Sequence, residues 1–249
     1  MLARARTYLS RLPFASRLAR LGQHEVGILV AVFICASLIW AFGFIAEEVV
    51  EGDTHKVDMA ILMALRTPGH PADLLGPPWF EEMMRDITAL GSYAFIIILV
   101  SAAVGYLLLV RKWALALLTL GAVLGGMLIS NLLKMGFDRP RPDLEHAARV
   151  FTPSFPSGHA MLSAVTFLTL GALLTRVNVD WRAKAYFLTI AVLLTIIVGS
   201  SRIYLGVHYP SDVLAGWCVG SAWALICWSA ALWLQARGKV EQPSSATRT

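Results

Sequence analysis

The sequence is poor in charge, with Asp, Glu, Lys and Arg making up only 15% of its 249 residues. Because soluble domains carry about 25% charged residues, this scarcity argues against a soluble protein. Hydrophobic residues make up 57% of the chain, and the mean hydropathy is +0.65. The composition therefore predicts a membrane protein.

Cysteine is also scarce, and all three cysteines lie in apolar runs: Cys35, Cys218 and Cys227. An odd number of cysteines in hydrophobic segments excludes a disulfide framework, and their spacing excludes a CxxC metal knuckle. We interpret them as small core residues.

Long hydrophobic runs are abundant, and six of them approach the length of about 20 residues that a membrane-crossing helix needs. They are 26–46, 87–110, 113–133, 159–176, 185–201 and 213–236. We therefore predict an all-α integral membrane bundle of six transmembrane helices, forming one domain at 26–236. A basic segment at 1–25 and a polar tail at 237–249 flank this domain.

Basic residues lie mainly in the N-terminal segment, the even-numbered loops and the tail. They are Arg4, Arg6, Arg11, Arg17, Arg20, Arg111, Lys112, Arg176, Arg182, Lys184, Arg237, Lys239 and Arg248. Because cytoplasmic loops are enriched in Lys and Arg, both termini are predicted to be cytoplasmic.

The loop 47–86 carries nine acidic residues and is predicted to lie outside. Its apolar stretch 56–66 is too short to cross and is expected at the outer interface, as a linker or beside a point of lipid entry. The stretch Asp86-Ile87-Thr88 at the start of the second helix is expected to act as a helix cap and not in chemistry.

Two glycine pairs have the GxxxG spacing that permits close helix approach: Gly121 with Gly125, and Gly216 with Gly220. Such pairs pack helices against one another in membranes. We expect them to act within the bundle in preference to a dimer face.

The two remaining outer loops break the charge rule. The loop 134–158 contains four basic residues, and the loop 202–212 adds two more polar side chains: Lys134, Arg139, Arg141, Arg149, Arg202 and His208. Basic residues on the disfavoured side indicate an anionic ligand at that surface.

The start of the fourth predicted helix is suited to hold such an anion. Its N-terminus offers unpaired N–H groups and the positive end of the helix dipole. Gly158 allows close backbone approach, Ser157 can donate its hydroxyl, and His159 stands beside them. Arginine forks and a lysine charge suit phosphate oxygens.

His208 and Asp212 are four residues apart, with Pro210 between them. Proline suits the first turn of a helix, because its missing N–H would be unpaired there anyway. Asp212 would then reach back to His208 and fix its tautomer. Two histidines in different environments can divide the work, one attacking phosphorus and the other protonating the leaving oxygen.

These residues form three spaced blocks, and together they resemble the signature of the type 2 phosphatidic acid phosphatase superfamily. The blocks are K-x6-RP in KMGFDRPRP, PSGH at 156–159, and SR-x5-H-x3-D in SRIYLGVHYPSD. Three blocks in order are a specific signal, whereas PSGH alone would be a weak one.

The resemblance implies a role for each residue. His208 would be the nucleophile that forms a phosphohistidine, Asp212 would orient it, and His159 would be the general acid. The phosphate would be held by Lys134, Arg141, Ser157, the amide of Gly158, and Arg202. The family needs no metal or other cofactor, and the sequence has no clustered ligands at metal spacing. The x6 spacing selects Arg141, and the role of Arg139 stays open.

The resemblance also implies a function: a phosphatase acting on a lipid phosphate or diphosphate at the outer face of a bacterial inner membrane. Undecaprenyl diphosphate is the first candidate substrate; phosphatidylglycerophosphate, phosphatidate and lipid A phosphates are alternatives. Phosphotransfer to a lipid acceptor is a second hypothesis. Transport is disfavoured because the spanning cores lack ionisable groups. We expect membrane lipids as partners and no nucleic acid, and the oligomeric state stays open.

Overall fold

The computed structural model describes residues 23–143, 152–177 and 180–236. These residues contain eight helices and one β-hairpin. They are α1 (Gln23–Glu51), α2 (His55–Ala64), β1 (Arg66–Thr67), β2 (His70–Leu74), α3 (Pro78–Ala89), α4 (Tyr93–Leu109), α5 (Trp113–Gly136), α6 (Gly158–Val177), α7 (Trp181–Tyr204) and α8 (Pro210–Ala236). The predictions for the first 22 residues, for Arg149 and for the tail 237–249 lie outside the described residues.

The helices include the membrane-crossing segments that the sequence predicts. Five of them, α1, α5, α6, α7 and α8, are long and apolar enough to span a bilayer on their own. The bent pair α3 and α4 can form a sixth span. The prediction of an all-α membrane bundle is confirmed, with five to six candidate spans among the described residues.

The second predicted span, 87–110, is not one straight helix. Helix α3 ends at Ala89, and α4 begins at Tyr93 after a bend of 51°. Ser92 caps α4 by accepting a hydrogen bond from the Phe95 amide at 3.2 Å. The stretch Asp86-Ile87-Thr88 lies inside the last turn of α3 and does not cap a helix start, so that expectation was wrong. A side chain on Gly91 would lie 2.6 Å from Val198, so the break also lets α7 approach closely.

The acidic segment after α1 is folded onto the bundle. Asp58 and Leu62, one turn apart on α2, are both buried. Arg66 in β1 donates to the carbonyl of Tyr204 at 2.8 Å, and the Tyr204 hydroxyl donates to the carbonyl of Leu75 at 2.9 Å. The hairpin is therefore fastened to the end of α7.

Helix α6 is the central helix of the bundle. Its first turns are almost fully buried, including Ala160, Met161, Leu162, Ala164 and Val165. The outer helices instead expose large apolar side chains, as expected of surfaces that face lipid. The PSGH block therefore starts the helix that the others surround.

Three of the four GxxxG glycines lie where helices touch inside the bundle. A Cβ atom would lie 2.5 Å from Trp223 at Gly125, 2.7 Å from the Ser157 carbonyl at Gly216, and 2.5 Å from the Met161 carbonyl at Gly220. Gly121 has nothing within 4 Å. The small residues of α8 thus bring its backbone close to that of α6.

This packing predicts that Gly220→Ala destabilises the protein, because the new methyl group would overlap the Met161 carbonyl oxygen. We expect the free energy of unfolding to fall by about 1–3 kcal/mol, the usual cost of overpacking a core. Gly121→Ala is the matched control, and thermal unfolding in detergent measures both. Equal stability of the two variants would contradict the close approach of α8 and α6.

Candidate active site

Four helix ends meet at one end of the bundle, where α5 and α7 end and α6 and α8 begin. The Ser157 amide, preceding α6, donates to the Asp212 carbonyl in α8 at 3.0 Å. A Cβ atom on Gly158 would lie 3.5 Å from the Lys134 ammonium in α5. Arg202 occupies the last turn of α7. The three sequence blocks therefore converge.

His208 lies at the centre of this cluster, in the short connection between α7 and α8, and its side chain is 1% exposed. Its Nε2 atom is 3.1 Å from Arg141 Nη1, and its Nδ1 atom is 3.4 Å from Asp212 Oδ2. Because a guanidinium only donates, Nε2 accepts this hydrogen bond and Nδ1 carries the proton of the neutral ring. Nε2 therefore has the lone pair that a nucleophile needs.

The Asp212 carboxylate is fully buried in the first turn of α8, which begins at Pro210 as predicted. Its Oδ2 atom accepts hydrogen bonds from the Tyr209 amide at 2.9 Å and from the Ser154 hydroxyl. Its Oδ1 atom accepts one from Arg139 Nη1 at 2.6 Å. These donors fix the carboxylate with Oδ2 beside the imidazole.

Arg141 is held in place from two sides. It donates to the Val207 carbonyl at 2.7 Å, to the Thr152 carbonyl at 2.9 Å and to the Thr152 hydroxyl at 3.1 Å. Because its charge is fixed beside His208 Nε2, Arg141 can bind a phosphate group that approaches this nitrogen.

The remaining predicted phosphate-binding groups surround His159 and His208. Arg202 is 8% exposed and donates to the Thr88 hydroxyl at 2.9 Å. Within the described part of the chain, Arg202 Nε and Ser157 Oγ are buried without a hydrogen-bond partner. Buried donors are costly to leave unpaired, and anionic oxygens are the acceptors that would suit them.

His159 is half-buried in the first turn of α6. It lies within electrostatic range of Arg202, His208, Lys134 and Arg141. All eight residues selected from the sequence are thus brought together: Lys134, Arg141, Ser157, Gly158, His159, Arg202, His208 and Asp212.

Sequence reasoning missed four residues that support these eight: Asp58, Thr88, Thr152 and Ser154. Asp58 carried a usable signal, because it is a lone carboxylate in an apolar stretch and such groups need a partner when buried. Arg139, whose role stayed open, contacts Asp212 and Asp58. The spacing of the motif blocks does not point to the other three residues, Thr88, Thr152 and Ser154.

The described residues contain no group of three or more His, Cys, Asp or Glu side chains placed to hold a metal ion.

Comparison with known proteins decides the family. The sequence profile of the PAP2 superfamily matches residues 113–236. Phosphatidylglycerophosphatase B of Bacillus subtilis is 31% identical over 188 residues, which cover 74% of this chain and 88% of the relative. The chain belongs to the PAP2 superfamily. This membership confirms the resemblance and the predicted class of enzyme, a membrane phosphatase.

Further relatives support the same assignment. A crystal structure of the transmembrane PAP2-type phosphatidylglycerolphosphate phosphatase from Bacillus subtilis superimposes with a TM-score of 0.71 at 29% identity, covering 80% of this chain and 96% of that chain. A lipid A 1-phosphatase of Rhizobium etli is 35% identical over 125 residues, 46% of this chain and 49% of the relative. An undecaprenyl-diphosphatase of Sulfolobus acidocaldarius is 40% identical over 68 residues, 27% of this chain and 29% of the relative.

The burial of His208 makes the stability of this PAP2 protein depend on pH. Burial lowers the pKa of His208 from its ordinary 6.5 to about 4, although the hydrogen bond and charge of Asp212 act in the opposite direction. Below pH 6.5 the unfolded chain gains a proton on this residue that the folded chain does not, so stability falls as the pH drops towards 4.

We therefore expect His208→Gln to lose less thermal stability than the wild type between pH 6.5 and pH 4.5. The melting temperature in detergent, measured at both pH values, is the readout. The same loss in both proteins would mean that His208 is not held neutral in the folded state.

Proposed function

We propose that this PAP2 enzyme hydrolyses a terminal phosphate or diphosphate of a membrane lipid through a phosphohistidine on His208. The observation that carries the proposal is the setting of this imidazole. Its Nε2 atom faces a fixed arginine at 3.1 Å, and its Nδ1 atom faces a buried carboxylate at 3.4 Å. This arrangement suits a nitrogen nucleophile for a phosphate group.

In the first step the Arg141 N–H that contacts His208 Nε2 turns to a phosphoryl oxygen, and the freed Nε2 lone pair attacks phosphorus. A P–N bond forms, and the bond from phosphorus to the leaving oxygen breaks. His159 is charged once the substrate phosphate offsets the cations around it, and as the general acid it gives its proton to that oxygen. Lys134, Arg141 and Arg202 offset the charge on the phosphoryl oxygens, with the N–H groups at the start of α6 as further donors. Asp212 stabilises the charged imidazole.

In the second step a water molecule attacks the phosphorus of the phosphohistidine. His159, now neutral, takes a proton from this water, and the P–N bond breaks. Inorganic phosphate leaves, and His208 returns to the neutral form with its proton on Nδ1. Both histidines then have the protonation state in which they began.

We further propose that the site faces the exterior or periplasm of a bacterial plasma membrane. The opposite ends of the helices carry Arg111, Lys112, Arg176, Arg182 and Lys184, and such loops favour the cytoplasm. A substrate can then present its headgroup to the site while its acyl or prenyl chain stays in the bilayer. The apolar side chains exposed on the surrounding helices suit that position.

For the lipid itself, phosphatidylglycerophosphate is the first candidate. Its support is the Bacillus subtilis relative named for this activity, whose similarity covers 74% of this chain. Undecaprenyl diphosphate, the candidate that sequence reasoning ranked first, is the second. It suits the proposed outward-facing site, and it is supported by a relative whose similarity covers 27% of this chain.

The mechanism predicts that His208→Ala abolishes phosphate release and that wild-type enzyme, quenched rapidly with labelled substrate, carries acid-labile, base-stable label on His208. His159→Ala should slow labelling, most strongly with poor leaving groups. Activity should persist in EDTA. Retained activity in folded His208→Ala, or full loss in EDTA, would require a different mechanism.

The substrate assignment predicts the fastest phosphate release from phosphatidylglycerophosphate in a panel that also contains undecaprenyl diphosphate, phosphatidate and lipid A. Purified enzyme in matched detergent, with His208→Ala as the blank, supplies the measurement. Transfer of label to an added lipid acceptor in place of water would identify a phosphotransferase instead.

A further inference from the structure

A buried chain of ionic contacts continues outward from Asp212 to helix α2. Arg139 lies between two carboxylates, with Nη1 at 2.6 Å from Asp212 Oδ1 and Nη2 at 2.8 Å from Asp58 Oδ2. The side chains of Asp212, Arg139 and Asp58 are 0%, 11% and 3% exposed, in that order. Asp58 belongs to α2, which is 81 residues away from Arg139 in sequence.

Asp58 also holds the start of the helix that carries Asp212. Its Oδ1 atom accepts a hydrogen bond from the Ser211 amide at 2.9 Å, and its Oδ2 atom accepts one from the Ser211 hydroxyl at 2.6 Å. Asp58 therefore binds both the arginine that contacts Asp212 and the residue directly before Asp212.

The position of Arg139 is fixed by further contacts. Its Nη1 donates to the Ser211 hydroxyl at 2.8 Å, and its Nη2 donates to the Thr54 hydroxyl at 3.2 Å. Its guanidinium carbon lies 4.2 Å from the centre of the Tyr209 ring. Both terminal nitrogens are thus engaged by protein acceptors, and Arg141 is the arginine that contacts His208 Nε2.

We infer that Arg139 and Asp58 are positioning residues for the reaction: Arg139 holds Asp212 with Oδ2 towards His208, and Asp58 holds Arg139 and the start of α8 in register. This inference rests on the proposed roles of His208 and Asp212. It also assigns a function to helix α2, because α2 carries Asp58, the carboxylate at the outer end of this chain of contacts.

The physical reason lies in the two oxygens of a carboxylate. Asp212 Oδ2 has to face the imidazole Nδ1–H, so Oδ1, on a side chain that is 0% exposed, needs its own donor. Arg139 is that donor. Its guanidinium would be free to turn if only the nitrogen that faces Asp212 were bound. Asp58 binds the other terminal nitrogen, Nη2, and balances the charge of Arg139.

Arg139→Gln is expected to lower kcat by about 10- to 100-fold, by analogy with the range seen when hydrogen-bond partners of metal-binding histidines and carboxylates are removed. KM should change little, because Arg139 does not face the phosphate. Asp58→Asn should act in the same direction. Arg141→Gln is the matched comparison: it should raise KM and weaken inhibition by inorganic phosphate, whereas Arg139→Gln should leave that inhibition unchanged.

A double-mutant cycle separates positioning from a general effect on folding. If Arg139 acts through Asp212, then Arg139→Gln should cause no further loss in an Asp212→Asn background, measured as the single-turnover rate of His208 labelling. A purely structural arginine would instead reduce the rate by the same factor in both backgrounds. Equal factors, or a weaker phosphate inhibition in Arg139→Gln, would overturn the inference.

Failure of this inference is distinct from failure of the proposed function. If His208→Ala stays active, the proposed mechanism is wrong. If His208→Ala is inactive but Arg139→Gln lowers the labelling rate by the same factor in the wild-type and Asp212→Asn backgrounds, only the positioning role is wrong. Thermal unfolding in detergent checks each variant. Should Arg139→Gln not fold, Ser211→Ala, which removes the hydroxyl shared by Arg139 and Asp58, enters the same cycle with the same expected and contrary outcomes.

Discussion

The structure depends on keeping one carboxylate, that of Asp212, charged and buried in the first turn of a membrane-spanning helix. An unpaired carboxylate at such a place would be very costly. The chain offsets this cost with donors from Arg139, the Ser154 hydroxyl and the Tyr209 amide, with the His208 ring alongside. Because these donors come from two separate connections between helices, satisfying Asp212 forces both connections onto the same end of the bundle.

Close packing of α8 on α6 supplies the rest of the geometry. Gly216 and Gly220 let the two backbones approach until the Ser157 amide meets the Asp212 carbonyl at 3.0 Å. Two helix N-termini therefore lie side by side, and both present their positive ends to the same space. The positive ends of both helix dipoles favour an anion there, so the small residues of α8 set the charge environment of this end of the bundle.

Hydropathy and motif spacing predicted the bundle and its eight converging residues, because both signals are local in sequence. Hydropathy missed the break at Gly91, since the predicted span 87–110 joins the last three residues of α3 to α4 in one apolar window whose average hides a bend. The same limit applies to Asp58 and Thr88. Their partners, Arg139 and Arg202, are 81 and 114 residues away, and no periodic pattern joins such distant segments. The sequence can mark Asp58 as a residue that needs a partner, but only tertiary packing reveals which partners these two residues have.

The different contacts of Arg139 and Arg141 fit the prolines that follow each of them, Pro140 and Pro142. The segment 137–143 lies outside helices and strands, and a proline pushes the residue before it towards extended or polyproline II conformation. With three residues per turn in polyproline II, side chains two positions apart point roughly 120° away from each other. One arginine can therefore face His208 Nε2 while the other faces Asp212 Oδ1. The RPRP sequence thus brings two positive charges to the pair formed by His208 and Asp212, with Arg141 beside the imidazole and Arg139 beside the carboxylate.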